Sequence, residues 1–346
     1  MSFELNQIVR KNILELKPYS SARNEYSGKE AVFMDANENP YNAPYNRYPD
    51  PNQSLLKQKI AELYNIGVSK LFLGNGSDEA IDLIFRSFCE PAIDRAVSIE
   101  PSYGMYKVCA DIQNVEMDFA LLNEDFSLNI ENISSKIKEK TKVIFLCSPN
   151  NPTSNLLEED KVIEILKIFK GLVVVDEAYI DFAESEGMLR YLDEFPNLIV
   201  LRTFSKAWGL AGIRIGMAFA SVEIINILNK IKYPYNLNVL SQEFALEAIF
   251  DISNKNRWIL EIRSERERLR KELDKFFFII HIYPSDANFL LVKTKNPKGL
   301  YTYLSNEKII VRDRSNVPLC EACLRITIGT KEENNLLLEK LKNYSS

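Results

Sequence analysis

The chain has 346 residues, 46% of them hydrophobic and 26% charged, which is the composition of an ordinary globular protein long enough for about two domains. A formal charge of −5 argues against a general binder of polyanions, so any phosphate specificity has to come from a few placed arginines. The single histidine, His281, excludes multi-histidine metal sites, and the five cysteines are too scattered for the disulfide framework of a secreted protein.

Taken in chain order, Met1–Gln7 lacks a basic segment followed by an apolar core. No stretch approaches the roughly 18 apolar residues of a membrane span, so a soluble, cytoplasmic protein is expected. Strand-like apolar runs then alternate with helical patterns from about residue 70 to residue 250, beginning with Leu71-Phe-Leu and Ala96-Val-Ser-Ile and ending with Leu198-Ile-Val-Leu and Ile215-Gly-Met-Ala-Phe. That alternation predicts an α/β fold with a large, doubly wound, mostly parallel sheet of seven strands. A charged pattern between Ser253 and Phe276 predicts a long connecting helix with a solvated charged face. Short strands and two helices follow, and His281 lies in the strand-like run Phe276–Tyr283. The expected organisation is a large domain over 31–250 and a smaller α+β domain over 251–346, with an arm over 1–30 joining the smaller one. Cys320-Glu-Ala-Cys323 has redox or zinc spacing but no second pair to match, and reads as two ordinary thiols.

Four segments carry chemistry. Gly74-Asn-Gly-Ser-Asp-Glu79 follows a strand and opens a helix, so the amides of Ser77 and Asp78 face outward as an anion site, although an ordinary strand-to-helix turn has the same pattern. Val143–Ser154 is a buried strand running into a proline-punctuated turn with two asparagines. Leu172-Val-Val-Val-Asp-Glu-Ala-Tyr179 is a strand buried on both faces that ends in a carboxylate, at the strand end where open α/β sheets bind ligands. Leu201–Gly216 delivers Lys206 into a turn of small and hydroxyl residues, with Arg214 eight positions later. By itself that run also fits a surface lysine in a loop. An aspartate, an amide and a lysine at three strand tips match the needs of pyridoxal phosphate: an acid for the ring nitrogen, a donor for the ring oxygen and an amine for the aldehyde.

At these residues the chain resembles the fold-type I aminotransferases that use pyridoxal phosphate, and among them the histidinol-phosphate aminotransferase family over nearly its whole length. The resemblance is carried by Lys17–Arg23, Asp35–Pro40, Asn46–Pro51, Gly74–Glu79, Pro101–Tyr106, Asp176–Tyr179, the Lys206 run, Ile310–Arg314 and Leu324–Thr330. It implies that Lys206, Asp176 and Tyr179 are catalytic. It further implies that Ser77, Asp78, Thr203, Ser205 and Arg214 hold the cofactor phosphate, that Tyr103 stacks on the ring, and that Asn151 acts with Tyr179 on the ring oxygen. Tyr48 would reach the phosphate of the neighbouring subunit, which makes a homodimer a functional requirement. Arg325 would pair with the substrate carboxylate and Arg312 with the phosphate of histidinol phosphate, with Tyr19, Arg23 and Tyr235 lining the same pocket. Arg314 receives no role.

One departure is Ser154, where the family has glycine; a positive φ there would cost serine about 1 kcal/mol. The reading leaves a broad aromatic aminotransferase and a phosphothreonine decarboxylase open on the same fold. A cofactor-binding regulator is disfavoured, because the cofactor-fold sequence begins within about the first forty residues.

Overall fold

A computed structural model of the chain describes residues 3–19 and 32–344. Its larger sheet has strands β1 (Leu71–Asn75), β2 (Arg95–Glu100), β3 (Glu116–Leu121), β4 (Thr141–Cys147), β5 (Leu172–Asp176), β6 (Leu198–Thr203) and β7 (Ile215–Ala220), in the spatial order β1-β7-β6-β5-β4-β2-β3. Only β7 runs against its neighbours; the other pairings are parallel. The expected seven-stranded, mostly parallel sheet is therefore present. Strand alternation explains the unbroken apolar runs. Val173 and Val175 of β5 enter the core on one face of the sheet, and Leu172 and Val174 enter the core on the other. Each such side chain stabilises the fold by roughly 1.5–3 kcal/mol relative to exposure.

Helices α1 (Lys11–Glu15), α2 (Ser54–Tyr64), α3 (Gly76–Phe88), α4 (Met105–Ile112), α5 (Ile130–Lys136), α6 (Glu159–Ile168), α7 (Val222–Ile231) and α8 (Val239–Phe250) surround this sheet. Ile81 and Phe85 of α3 and Leu228 of α7 share one core with Phe72 and Phe145, whereas Ile60 of α2 and Ile165 of α6 lie in the opposite one.

The smaller sheet comprises β8 (Ile279–Ile282), β9 (Phe289–Thr294), β10 (Arg312–Asp313) and β11 (Cys323–Thr327), ordered β10-β11-β9-β8 and antiparallel throughout. Leu269 and Leu273 of α9 (Ile252–Leu273), Leu300 of α10 (Pro297–Asn306) and Leu337 of α11 (Lys331–Lys342) bury this sheet in a core of its own. A bridging cluster of Tyr179, Phe182, Ile259 and Phe289 joins the two parts at the tip of β5.

The structure departs from three expectations. The N-terminal arm was expected to join the smaller domain, but Ile8, Val9 and Ile13 pack into the core of the larger sheet and Arg10 pairs with Glu90. Their apolar spacing finds cover on α3 and α7, while the small sheet is already covered by its own helices. The charged face of α9 is only partly solvated: buried Lys255 pairs with Asp181 at 2.6 Å, and Arg263 and Arg266 donate to the carbonyls of Phe182 and Ala287. Periodicity gave no hint that these stems bridge the two parts. The run Phe276–Tyr283 is strand only over Ile279–Ile282, where His281 is exposed and meets the Tyr283 ring edge-on.

Candidate active site

The carboxyl ends of the parallel strands open into a cavity of about 220 Å³ lined by groups from α3, β4, β5, β6 and the segments that connect the strands to their neighbours. Its geometry begins at two glycines. Gly76 has φ +70° and donates its amide to the Arg214 carbonyl, and a Cβ there would come within 2.7 Å of the Arg214 guanidinium. A Cβ on Gly216 would come within 2.1 Å of the Ser77 nitrogen. Glycine at both positions therefore lets β7 lie directly against the first turn of α3, where Ser77 and Asp78 line the cavity beside Arg214. First-turn amides lack intrahelical partners, so this end of the cavity is built to receive an anion. Thr203 Oγ1 accepts from the Ser205 amide at 3.0 Å and donates to the Ile215 carbonyl at 3.2 Å, which fixes the turn that carries Lys206.

At the other end is Asp176, 3% exposed at the tip of β5. It accepts from the Tyr106 hydroxyl at 2.8 Å and from the Ala178 amide at 3.1 Å. Burial pushes its carboxyl up to about 6, against the pull of those two donors. Lys206 adds a weaker, longer-range pull, but both hydrogen bonds to this carboxylate come from neutral donors and no cation pairs with it directly among the described residues. Lys206 is pushed the opposite way: burial, then the positive charge of Arg325, lowers its amine below the ordinary lysine range. Its Nζ lies 5.3 Å from the centre of the Tyr179 ring. The buried Tyr179 hydroxyl accepts from Asn151 Nδ2 at 3.4 Å, and Asn151 Oδ1 in turn accepts from Arg325. Tyr103 lines the same cavity and donates to Asp78 at 3.2 Å.

Thus Ser77, Asp78, Tyr103, Asn151, Asp176, Tyr179, Thr203, Ser205, Lys206 and Arg214 all line one cavity, and Arg325 is tied to it through Asn151. Arg312 lies across from Arg325 in the β10–β11 register and is exposed. The remaining candidates lie elsewhere in the single chain. Tyr48 stacks on Tyr235 with ring centres 4.5 Å apart, and neither lines the cavity. Tyr19 is 73% exposed and lines a different hollow with Arg10 and Lys230. Arg23 lies outside the described residues.

Two contributors had no role assigned from the sequence. Tyr106 is the hydroxyl that holds Asp176, and only the segment containing it was singled out. Glu177 forms a buried pair with Arg202 at 2.7 Å and accepts from the Met188 amide, framing the strand ends behind the cavity. A charged residue inside the run Leu198–Thr203 was the available signal. Ser154 has φ +69°, so the strain anticipated for a side chain there is present; its hydroxyl has two acceptors in reach, the Thr153 carbonyl at 2.5 Å and, across to the smaller part of the molecule, the Pro284 carbonyl at 3.1 Å. Cys320 and Cys323 are buried free thiols, pushed up to about 12 and about 11 mainly by burial.

A sheet of this topology, with a lysine and an aspartate at neighbouring strand tips, is the framework of a large class of transferases, and the profile of the family described as aminotransferase class I and II matches residues 22–341. The chain belongs to that family. It is 56% identical to histidinol-phosphate aminotransferase of Parabacteroides distasonis over 340 residues, covering 98% of this chain and 99% of that one. Among solved structures, it is similar to the histidinol-phosphate aminotransferase of Clostridium acetobutylicum (TM-score 0.80, 28% identity, 86% of this chain and 90% of that one). The enzyme of that name from Sinorhizobium meliloti, solved in complex with pyridoxal-5'-phosphate, shares the fold at 22% identity with a TM-score of 0.78 over 97% of this chain and 98% of that one.

Proposed function

We propose that this chain is a pyridoxal-phosphate-dependent aminotransferase that moves an amino group between L-histidinol phosphate and 2-oxoglutarate, a step of histidine biosynthesis. The observation that carries the reading is the meeting, in one cavity, of a partly desolvated lysine, a buried carboxylate with only neutral donors and an anion-receiving helix end. These groups fit the cofactor. Asp176 suits a protonated ring nitrogen, which would supply its missing positive partner. The amides of Ser77 and Asp78, the Ser205 hydroxyl and the Arg214 guanidinium suit the phosphate, and the Thr203 hydroxyl would join them on turning its proton away from the Ile215 carbonyl. Asn151 and Tyr179 suit the ring oxygen, and Tyr103 the ring face.

When bound, the cofactor supplies an aldehyde on an electron-accepting ring. The protein's part is acid–base work and orientation. Lys206, with its amine lowered by burial, has a larger uncharged fraction near neutral pH than an exposed lysine, so it can take a proton from the substrate Cα and return one on the opposite side of the transfer. Asp176 keeps its proton partner in place while charge develops. Arg325 would orient the α-carboxylate of glutamate, and Arg312 the phosphate of the other donor. Tyr179 is braced edge-on by Phe289, with ring centres 5.1 Å apart, which holds its ring at the cavity wall.

Among the described residues no helix is long and apolar enough to cross a membrane. A cytoplasmic homodimer is part of the reading, with Tyr48 completing the neighbouring site and Tyr19, Arg23 and Tyr235 as further candidates for lining the substrate pocket. The test is amino transfer to 2-oxoglutarate from histidinol phosphate, phenylalanine, tyrosine and phosphothreonine. The reading expects kcat/KM for histidinol phosphate to exceed that for each aromatic donor by about 10²-fold or more, the scale of a charged group left unmatched. Equal values would favour a broad aromatic aminotransferase, and release of carbon dioxide from phosphothreonine would favour a decarboxylase.

A further inference from the structure

The β10–β11 hairpin gathers three arginines on one face. Arg312 stands directly opposite Arg325, and the Arg314 amide continues the ladder by donating to the Cys323 carbonyl at 2.9 Å. With the two-residue period of a strand, Arg312 and Arg314 project to the same side, the side on which Arg325 faces Asn151. Like charges set opposite one another repel, and removing guanidinium groups from water adds to that cost. Among the described residues no acid pairs with Arg314 or Arg325 to offset this cost. The cations acting on Arg314 are Arg325 and Arg312, and Arg312 also acts on Arg325; the other groups that bear on the two are the Cys320 thiol and the phenols of Tyr179 and Tyr103, all uncharged near neutral pH. Arg314 Nε is buried without any hydrogen-bond partner. In a chain of net charge −5, such a cluster awaits an anion. A phosphate monoester, with a charge near −2 and three acceptor oxygens, meets several guanidiniums better than one carboxylate can.

We propose that Arg314 recognises the phosphate of the amino donor together with Arg312, leaving Arg325 for the carboxylate of glutamate. The inference rests on the histidinol-phosphate reading above and adds to it a residue whose removal should act on the phosphate alone. Arg314→Gln keeps much of the length and polarity while removing the charge, and Arg314→Lys returns a charge without the planar fork.

The experiment is steady-state transamination by the holoenzyme and both variants with histidinol phosphate, unphosphorylated histidinol and glutamate. Arg314→Gln should raise KM for histidinol phosphate by about 10-fold or more with kcat changed less than about threefold, since the contact orients a remote group. Histidinol should show no matching rise, glutamate a smaller one, and Arg314→Lys a partial recovery for histidinol phosphate. Equal losses for histidinol and histidinol phosphate, or no loss for either, would overturn the proposal. Should Arg314→Gln fail to fold, the same comparison of phosphorylated and unphosphorylated donors in Arg314→Lys decides it. The parent separates the two levels of inference: absence of a preference for histidinol phosphate over histidinol sinks the functional reading itself. A parental preference retained in Arg314→Gln sinks only the role of Arg314.

Discussion

Asp176 and Glu177 are adjacent, both are buried, and both come from the tip of β5, yet their surroundings differ in one decisive way. Glu177 faces Arg202 at 2.7 Å and receives the Met188 amide, so burial pushes its carboxyl up while a full positive charge pulls it back. Asp176 faces the cavity with one tyrosine hydroxyl and one amide. One acid is satisfied within the protein and the other is left for something that binds. The pair shows how a strand end divides its work, one side chain closing the framework and its neighbour, pointing across the sheet, serving the chemistry.

The largest effect should come from the lysine that shares the cavity with Asp176. Lys206→Ala is expected to lower transamination by about 10⁴-fold or more, since under the proposed function it would remove a positioned acid–base group and the amine that anchors the cofactor together. Turnover within a few-fold of the parent would show that Lys206 is a bystander. Glu177→Gln breaks the framework member of the comparison and strands the Arg202 charge, so unfolding in urea should reveal a loss of about 3–5 kcal/mol. A loss below about 1 kcal/mol would mean the pair is not a structural element.

Asp176→Asn should act in the opposite sense on the two readouts. Turnover falls by on the order of 10²-fold, because an amide cannot hold a proton on the ring nitrogen as charge develops. The cofactor-free fold gains stability. The sign follows from the raised carboxyl: between the unfolded value near 4 and the folded value of about 6, the native state binds the extra proton, so parental stability falls as pH rises through that window. The difference amounts to something on the order of 3 kcal/mol above pH 6, and Asp176→Asn should flatten it. Parallel pH–stability curves for parent and variant would contradict this.

The smallest effect concerns Ser154. Ser154→Ala keeps the left-handed backbone and loses the hydroxyl shared between the Thr153 and Pro284 carbonyls, which should cost about 1 kcal/mol. Ser154→Gly, relieved of strain, should cost less. Urea midpoints in the order parent, glycine, alanine are expected; an alanine variant as stable as the parent would show that the hydroxyl contributes nothing.

How much of this was legible from the residues depends on the range of the interaction involved. The larger sheet could be read because its strands are unbroken apolar runs, a local pattern that demands cover on both faces. The positions of Lys206, Asp176 and Asn151 beside one another could be read because each ends or follows such a run, and parallel strand ends converge; Arg214, which precedes β7, came from the family resemblance alone. Tyr106 could not be read, since its hydroxyl reaches Asp176 across 70 positions and its ring is otherwise an ordinary core aromatic stacked on Phe145. The arm at Ile8–Ile13 and the bridging cations of α9 went unread for a related reason. Apolar spacing and charge count say that a face exists, whereas its partner is set by which surfaces remain uncovered once the sheets have formed.

The contrast between the two acids is tested most directly by urea unfolding of the parent, Asp176→Asn and Glu177→Gln, each with and without saturating pyridoxal phosphate. A ligand that binds only the folded state adds stability according to its affinity. The account predicts the same cofactor-dependent increment in the parent and in Glu177→Gln, despite the lower baseline of the latter, and an increment smaller by about 1.5–3 kcal/mol in Asp176→Asn, the scale of a hydrogen bond to a charged group. A full increment in Asp176→Asn, or one lost equally in Glu177→Gln, would contradict it.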